Sequence, residues 1–207
     1  MRFLLVNEHP IIIYALRCLL KDAFSDAAKI DTTTGEKMPE HLKKGHYDFL
    51  ILAISESNSS RSLSLLSAAR RKAPKLGIIA YSSHNAPCLA LAALERGANG
   101  YVCKLSEHTL IIEAINSLKT GEKFCDPTIN LLAGLSHPWH SLSDAEQEVL
   151  LSLAEGQNLE SVAKRYNSHY KTIAARKYNA LRKLGVSPSI GVREYLFSQG
   201  LDYLITN

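Results

Sequence analysis

Residues 48–53 read D-F-L-I-L-A, apolar at every position after the first. A strand with one face in water alternates apolar and polar side chains, so an unbroken apolar run of this length reads as a strand covered on both faces. Working outward, the run extends over Tyr47 to Ile54, and further strand candidates lie at Phe3 to Val6, Lys29 to Thr32, Leu76 to Tyr81 and Gly100 to Cys103. Helical patterns separate them: Pro10 to Lys21, opened by a proline in its first turn, then Gly35 to Lys43, Arg61 to Lys72, Ala86 to Arg96 and Glu107 to Lys119. Ser60, Asn85 and Ser106 are candidate N-caps, and Gly97 and Gly121 candidate stops. Five β-then-α units predict an α/β fold, a doubly wound five-stranded parallel sheet with helices on both sides. Ligands of such a sheet bind at the carboxyl ends of its strands, which here carry Asn7, Glu8, Ala53, Ser82 and Lys104.

The whole chain has a globular composition: 207 residues, 46% hydrophobic and 21% charged, long enough for one large domain or two small ones. No apolar run approaches the roughly 20 residues of a membrane span, and polar residues interrupt MRFLLVNEHP where a signal peptide would stay apolar. A soluble cytoplasmic protein with no membrane association is expected. Cys18, Cys88, Cys103 and Cys125 are widely spaced, with no C-x-x-C pair and no histidine at metal-ligand spacing, so reduced, partly buried thiols are expected and neither metal nor cofactor.

The net charge of +4 is unevenly distributed. Between Ala163 and Gly185 there are seven basic residues (Lys164, Arg165, Lys171, Arg176, Lys177, Arg182, Lys183) and no acidic ones, which leaves −3 for the rest. The patterns around this run are helical. Ser143-Asp144-Ala145-Glu146 has the form of a capping box, followed by an apolar stripe at Val149, Leu150 and Leu153 and a stop at Gly156. A short helix from about Asn158 to Tyr166 follows, then a third from Ser168 to Leu184 after the turn Asn167-Ser168. At 100° per residue, Ile173, Ala180, Leu181 and Leu184 form a core stripe, with Lys177 on the same side and snorkelling outward. Lys171, Ala175, Tyr178 and Arg182 fall on the opposite face. Helix, tight turn and basic amphipathic helix are the parts of a helix-turn-helix: the second helix enters the major groove, cations neutralise phosphates at its rim, and small side chains allow close approach to bases.

Two resemblances join these readings. L-L-V-N-E-H-P at 4–10, D-F-L-I-L-A at 48–53 and G-A-N-G-Y-V-C-K at 97–104 resemble the receiver domain of the NarL/FixJ response regulators. In that family an acidic pair after the first strand and an aspartate ending the third hold Mg²⁺, and the aspartate accepts a phosphoryl group. Here Asn7 and Glu8 occupy the pair, Ala53 stands at the phosphoacceptor position, and Ser82 and Lys104 match the family's hydroxyl and lysine. A methyl group can neither attack a phosphoryl donor nor ligate a hard cation. Asp48, five residues earlier and so about 16 Å away along the strand, is too distant to substitute, and Ser55 and Glu56 fall in the following loop. The expectation is a receiver without its phosphorylation site.

Residues 142–186 resemble the LuxR/NarL DNA-binding domain, through L-S-x-x-E-x-E-V-L at 142–150, A-E-G at 154–156, V-A-K-R-Y at 162–166, K-T-I at 171–173 and L-R-K-L-G-V at 181–186. Within that family the stretch is most similar to the enterobacterial capsule regulators. The resemblance implies that Lys171, Thr172 and Arg176 contact phosphates and that Ala174, Ala175 and Tyr178 face base edges, with Lys177 and Arg182 beside them. It also implies a fourth helix, Pro188 to Ser198 with Ser187 as N-cap, serving as a dimer contact with Val192, Tyr195 and Leu196 on its apolar face. The domains are then 1–120 receiver-like, 121–141 linker, and 142–207 helix-turn-helix. Trp139, between His137 and His140, reads as a packing residue.

Two function classes remain open. One is a sequence-specific regulator of transcription that binds double-stranded promoter DNA independently of aspartyl phosphorylation, as a homodimer or a heterodimer with a related regulator. The other is an accessory regulator acting mainly by heterodimerising with another response regulator. An enzyme is not expected, since no histidine or carboxylate is placed by motif to activate Ser82 and no phosphate-cradling glycine loop occurs.

Overall fold

The computed structural model describes residues 1–25, 28–55 and 58–205. The chain divides into two compact units, residues 1–85 with 90–130, and 86–89 with 131–207. The first alternates strand and helix: β1 (Arg2–Val6), α1 (Pro10–Phe24), β2 (Lys29–Thr33), α2 (Met38–Lys44), β3 (Phe49–Ala53), α3 (Ser59–Lys72), β4 (Gly77–Ser82), α4 (Pro87–Glu95), β5 (Gly100–Cys103), α5 (Thr109–Lys119) and β6 (Phe124–Cys125). The strands form one parallel sheet in the order β2-β1-β3-β4-β5-β6. The α/β doubly wound class is as expected, with one strand more.

The apolar runs are continuous because both faces of the sheet are covered. Phe3, Leu5, Phe49, Ile51 and Ile79 pack with Leu16 and Leu20 of α1 and Ile111, Ala114 and Ile115 of α5. The alternate residues Leu4, Leu50, Leu52, Ile78 and Ala80 are equally buried, as are Leu63 and Leu66 of α3. Burying each Leu, Ile or Phe side chain among these fully contributes roughly 1.5–3 kcal/mol. Helix starts are less legible than strands. The side chain of Asn58, not Ser60, caps α3 by accepting the Arg61 N–H at 2.8 Å, and α5 begins after His108 rather than Ser106, with no side-chain cap.

Residues 121–141, expected as a linker, contain structure of their own. Phe124 and Cys125 pair with Gly100 and Tyr101 as the sixth strand, and α6 (Leu131–Leu135) and a 3-10 turn (Pro138–Ser141) follow. A two-residue strand has too few positions to show a period, which is why the pattern did not reveal it. Asp126 anchors it: fully buried, its carboxylate accepts the Cys103 N–H at 3.0 Å and the Thr128 hydroxyl at 2.7 Å. Burial pushes that carboxyl up, but these bonds and one from Ser106 outweigh it and hold it below the usual range.

The second unit continues with α7 (Asp144–Ala154), α8 (Leu159–Arg165), α9 (Tyr170–Leu184), α10 (Val192–Ser198) and a 3-10 turn at Asp202–Leu204. Trp139 is a core residue, 3% exposed and packed with Leu142, Leu150, Leu181 and Leu184. The fourth helix is shorter than expected: α10 starts at Val192 after Gly191, while the Ser187 hydroxyl is engaged with Ser189 Oγ at 2.8 Å instead of capping. Leu196 is fully buried and Val192 and Tyr195 pack partly beside it, so this apolar face is used within the unit. The four cysteines are free thiols, and no described helix is long and apolar enough to cross a membrane.

Gly77 lies opposite Phe49 in the sheet, and a Cβ there would meet two Phe49 ring carbons at 2.7 and 2.8 Å. Phe49 in turn stacks on Phe3 with ring centroids 5.5 Å apart. Gly77→Ala therefore overpacks a buried aromatic pair, and denaturant unfolding is expected to show a loss of roughly 1–3 kcal/mol. Unchanged stability would mean that the Phe49 ring can yield.

Candidate functional sites

The strand ends of the first unit meet in a cleft of about 790 Å³, lined by Asn7, Glu8, Ala53 and Lys104 together with Thr34 and Arg61. Register explains the meeting: Val6 pairs with Leu52, so Asn7 and Ala53 follow side by side. Ser82 is different. It ends β4 but is fully buried, its hydroxyl accepting the His84 N–H at 3.1 Å, and its carbonyl accepts the Lys104 N–H at 2.6 Å. The Lys104 ammonium lies 5.8 Å from the centre of the Tyr81 ring. Asn7 is 5% exposed; its Oδ1 accepts the His9 N–H at 2.9 Å, and its buried Nδ2 has no partner among the described residues. Asp48 precedes β3, at the end of the strand opposite Ala53, and accepts the Arg2 N–H at 2.7 Å. Glu56 lies outside the described residues.

In the second unit, α7 opens with both bonds of the expected capping box, Ser143 N–H to Glu146 at 2.8 Å and Glu146 N–H to Ser143 Oγ at 3.4 Å. Asn158 caps α8 by accepting the Ser161 N–H at 2.8 Å. The α8–α9 turn depends on Asn167, whose φ of +47° is left-handed; the N–H groups of Asn167 and Ser168 return to the carbonyls of Lys164 and Ala163. The cap of α9 differs from expectation, since the helix begins at Tyr170 after His169 and neither Ser168 nor His169 supplies a side-chain cap bond. That leaves its first amides without a side-chain acceptor, the arrangement that favours a phosphate there.

Two clusters grip the inner face of α9. Ile173 packs with Val149, Val162 and Ala163, while Ala180, Leu181 and Leu184 pack with Trp139, Leu150 and Leu196. The outer face follows from the helical period. Lys171, Thr172, Ala175, Tyr178 and Arg182 are exposed, Tyr178 by 60%, and Ala174, Arg176 and Lys177 are half-buried on the flanks. α9 contains no carboxylate.

Lys183 departs from this basic face. Its ammonium lies 2.8 Å from the Glu146 carboxylate, whose side chain is 9% exposed, so one of the seven cations is used inside the unit. Glu146 thus serves the cap of α7 and the position of α9 at once. The capping-box pattern showed only the first of these roles, because the second depends on how the helices cross.

The model of the response regulator receiver domain matches residues 3–116. The chain belongs to the response regulators. A second model, bacterial regulatory proteins of the luxR family, matches residues 140–190 of this response regulator. It is 29% identical to the transcriptional regulatory protein RcsB of Salmonella typhi and of Escherichia coli K12, over 96% of this chain and 94% of each relative. Its fold resembles that of RcsB from Salmonella enterica serovar Typhimurium bound to promoter P1flhDC in the presence of a phosphomimetic, with a TM-score of 0.71, 26% identity, and coverage of 96% of this chain and 98% of that one. A structure of two RcsB dimers bound to two parallel DNAs is similar with a TM-score of 0.69 at 26% identity, covering 96% of this chain and 98% of that one. These relatives are transcription regulators rather than enzymes.

The Mg²⁺ ion that a receiver domain implies does not fit the residues of this response regulator. Mg²⁺ needs anionic oxygens in near-octahedral array. Ala53 offers a methyl group, the Oδ1 of Asn7 is taken by the His9 N–H, and Glu8 is the single carboxylate left at the three positions. Glu36, the other lining carboxylate among the described residues, pairs with Arg61 at 3.0 Å.

The hydrogen bond from Lys183 and then that from the Ser143 N–H hold the Glu146 carboxyl below its ordinary value. A carboxyl depressed by folding stabilises the fold above its unfolded pKa, and this contribution is lost as pH falls through the folded value. Glu146→Gln is therefore expected to lower stability by roughly 1 kcal/mol at neutral pH. In thermal melts the gap between variant and wild type should close on acidification below the ordinary carboxylate range. A gap independent of pH would show that the charge of Glu146 is not what stabilises.

Proposed function

We propose that this chain regulates transcription by binding double-stranded promoter DNA through α9, acts without phosphorylation of an aspartate, and pairs with a second copy or a related regulator. The observation that carries this reading is the outer face of α9, which presents Lys171, Thr172, Ala175, Tyr178 and Arg182 and no carboxylate on a helix fixed by a buried stripe. A module made only for protein pairing would not need that uncompensated charge. The luxR-family match at 140–190 and the promoter-bound RcsB structures support it.

The division of labour follows from helix geometry. The first amides of α9, with Lys171, Thr172 and Arg176, hold backbone phosphates at the groove edge and set register. Ala174, Ala175 and Tyr178 then face the bases, where a methyl can touch thymine and a phenol can bond an edge. Arg182, and Lys177 on the flank, extend the phosphate contacts. One such module reads a half-site, so affinity for a full site depends on pairing two. With Ala53 at the end of β3, pairing has no aspartyl phosphate to trigger it, and a constitutive or partner-driven dimer is the consistent arrangement.

Gel-shift titrations over a range of salt concentrations test the interface. Lys171→Ala should weaken binding to all sequences alike and reduce the salt slope by about one. Ala175→Glu should cost specific binding roughly 1–3 kcal/mol, by bringing an anion and extra bulk to the groove floor. Full promoter binding by the Ala175→Glu protein would place the DNA on another surface.

Phosphorylation independence has a separate test. Incubation with an acyl-phosphate donor should leave the intact mass and the promoter affinity unchanged. A stable added phosphate, lost when one receiver residue is replaced, would overturn that part of the reading.

A further inference from the structure

The opposite end of the sheet carries a second concavity that the DNA-binding reading does not use. It has a volume of about 800 Å³, and its walls are the end of α2 with Lys43 and Lys44, the end of α3 with Lys72, the α3–β4 connection with Lys75, and Glu122 after α5. Arg70 also lines it. The five cations Lys43, Lys44, Arg70, Lys72 and Lys75 face two carboxylates, Asp48 and Glu122, an excess of three positive charges.

Two of these five charges, Arg70 and Lys72, are held in place without being neutralised. The Arg70 guanidinium donates to the carbonyls of Gly97 at 2.9 and 3.0 Å and of Pro74 at 2.6 Å, and to the side-chain oxygen of Asn99. The Lys72 ammonium donates to the Pro39 carbonyl at 2.9 Å. All these acceptors are neutral. Asp48 already accepts the Arg2 N–H at 2.7 Å. Desolvation, and then the neighbouring charge of Lys43, hold the Lys72 ammonium below the ordinary lysine range, so the cluster opposes its own charging. A bound anion reverses that repulsion, and its attraction grows with its charge.

We propose that this cleft, at the amino-terminal ends of β3 and β4, is a binding site for a small molecule bearing two or more phosphate groups. Its volume lies in the range of small-ligand sites. An excess of three charges matches a polyphosphate better than a monoanion. Lysines suit phosphate as mobile point charges, and Arg70 supplies a fixed one. The site would give the receiver unit an input that requires no covalent modification.

Calorimetric titration of the full chain with inorganic tripolyphosphate, at physiological ionic strength and without divalent metal, tests the site. Saturable binding with one ligand per chain is expected, together with a raised melting temperature. The double variant Lys43→Ala/Lys72→Ala should weaken binding roughly tenfold or more. The double variant Lys171→Ala/Arg182→Ala, which removes cations from α9, should bind as wild type does. Replacing both relieves the repulsion between Lys43 and Lys72 and removes one exposed hydrogen bond to Pro39, so the melting temperature of the unliganded protein should change little, and promoter affinity should stay unchanged. The proposal is overturned by an absence of saturable binding, or by equal loss in the α9 variant. A marked fall in unliganded stability would overturn it by making the cations structural, and weakened promoter binding by the Lys43→Ala/Lys72→Ala protein would do so by making the surface a nucleic-acid contact.

Discussion

An α-helix advances 100° per residue, and that step ties the two faces of α9 to each other. Once Ile173, Ala180, Leu181 and Leu184 are buried against α7, α8 and Trp139, the rotation of the helix about its axis has no freedom left. Lys171, Ala175, Tyr178 and Arg182 must then point away from the core. The rest of the unit serves this docking. The left-handed Asn167 turns the chain between α8 and α9, and Lys183 reaches across to Glu146. The same rigidity that builds the core places the polar face to within a fraction of a helical turn.

The receiver unit obeys a corresponding constraint with a different period. In the parallel sheet, β3 lies between β1 and β4, so the last residue of β3 must stand at the cleft beside Asn7. Position 53 is therefore fixed by the sheet whatever its side chain. The scaffold is complete around Ala53: the strand is buried, Lys104 follows β5, and the Ser82 hydroxyl accepts the His84 N–H. A methyl group at that position leaves the buried strand intact because the side chain faces the cleft and not the core. The charges at the other end of the sheet are also placed by the fold, with Arg70 and Lys72 held by neutral backbone oxygens.

Much of this was legible beforehand, and the legible parts share a cause. Apolar runs such as DFLILA, the Ser143–Glu146 capping box and the stripe from Ile173 to Leu184 are short-range patterns whose meaning depends on periodicity alone. Chemical incapacity is equally local, since a methyl at position 53 cannot ligate or be phosphorylated in any fold. The helix starts at Asn58, His108, His169 and Gly191 were harder, because several residues in each neighbourhood can cap and packing selects among them.

By itself, then, the sequence determined the class of both units, the faces of α9, and four residues of the cleft at the carboxyl ends of the strands, Asn7, Glu8, Ala53 and Lys104, but not that Ser82 would lie buried beside it or that Thr34 and Arg61 would line it. The tertiary structure alone decided the sixth strand, since two residues become a strand only where β5 offers them an edge. It also decided that Asp126 would be a buried anchor, that Lys183 would bond Glu146, and that cations from α2, α3 and the loop beyond it would share one concavity. Those outcomes join residues from about 20 to nearly 40 positions apart. No local periodicity encodes such meetings; they arise when each element buries its own apolar face and the chain between is carried along.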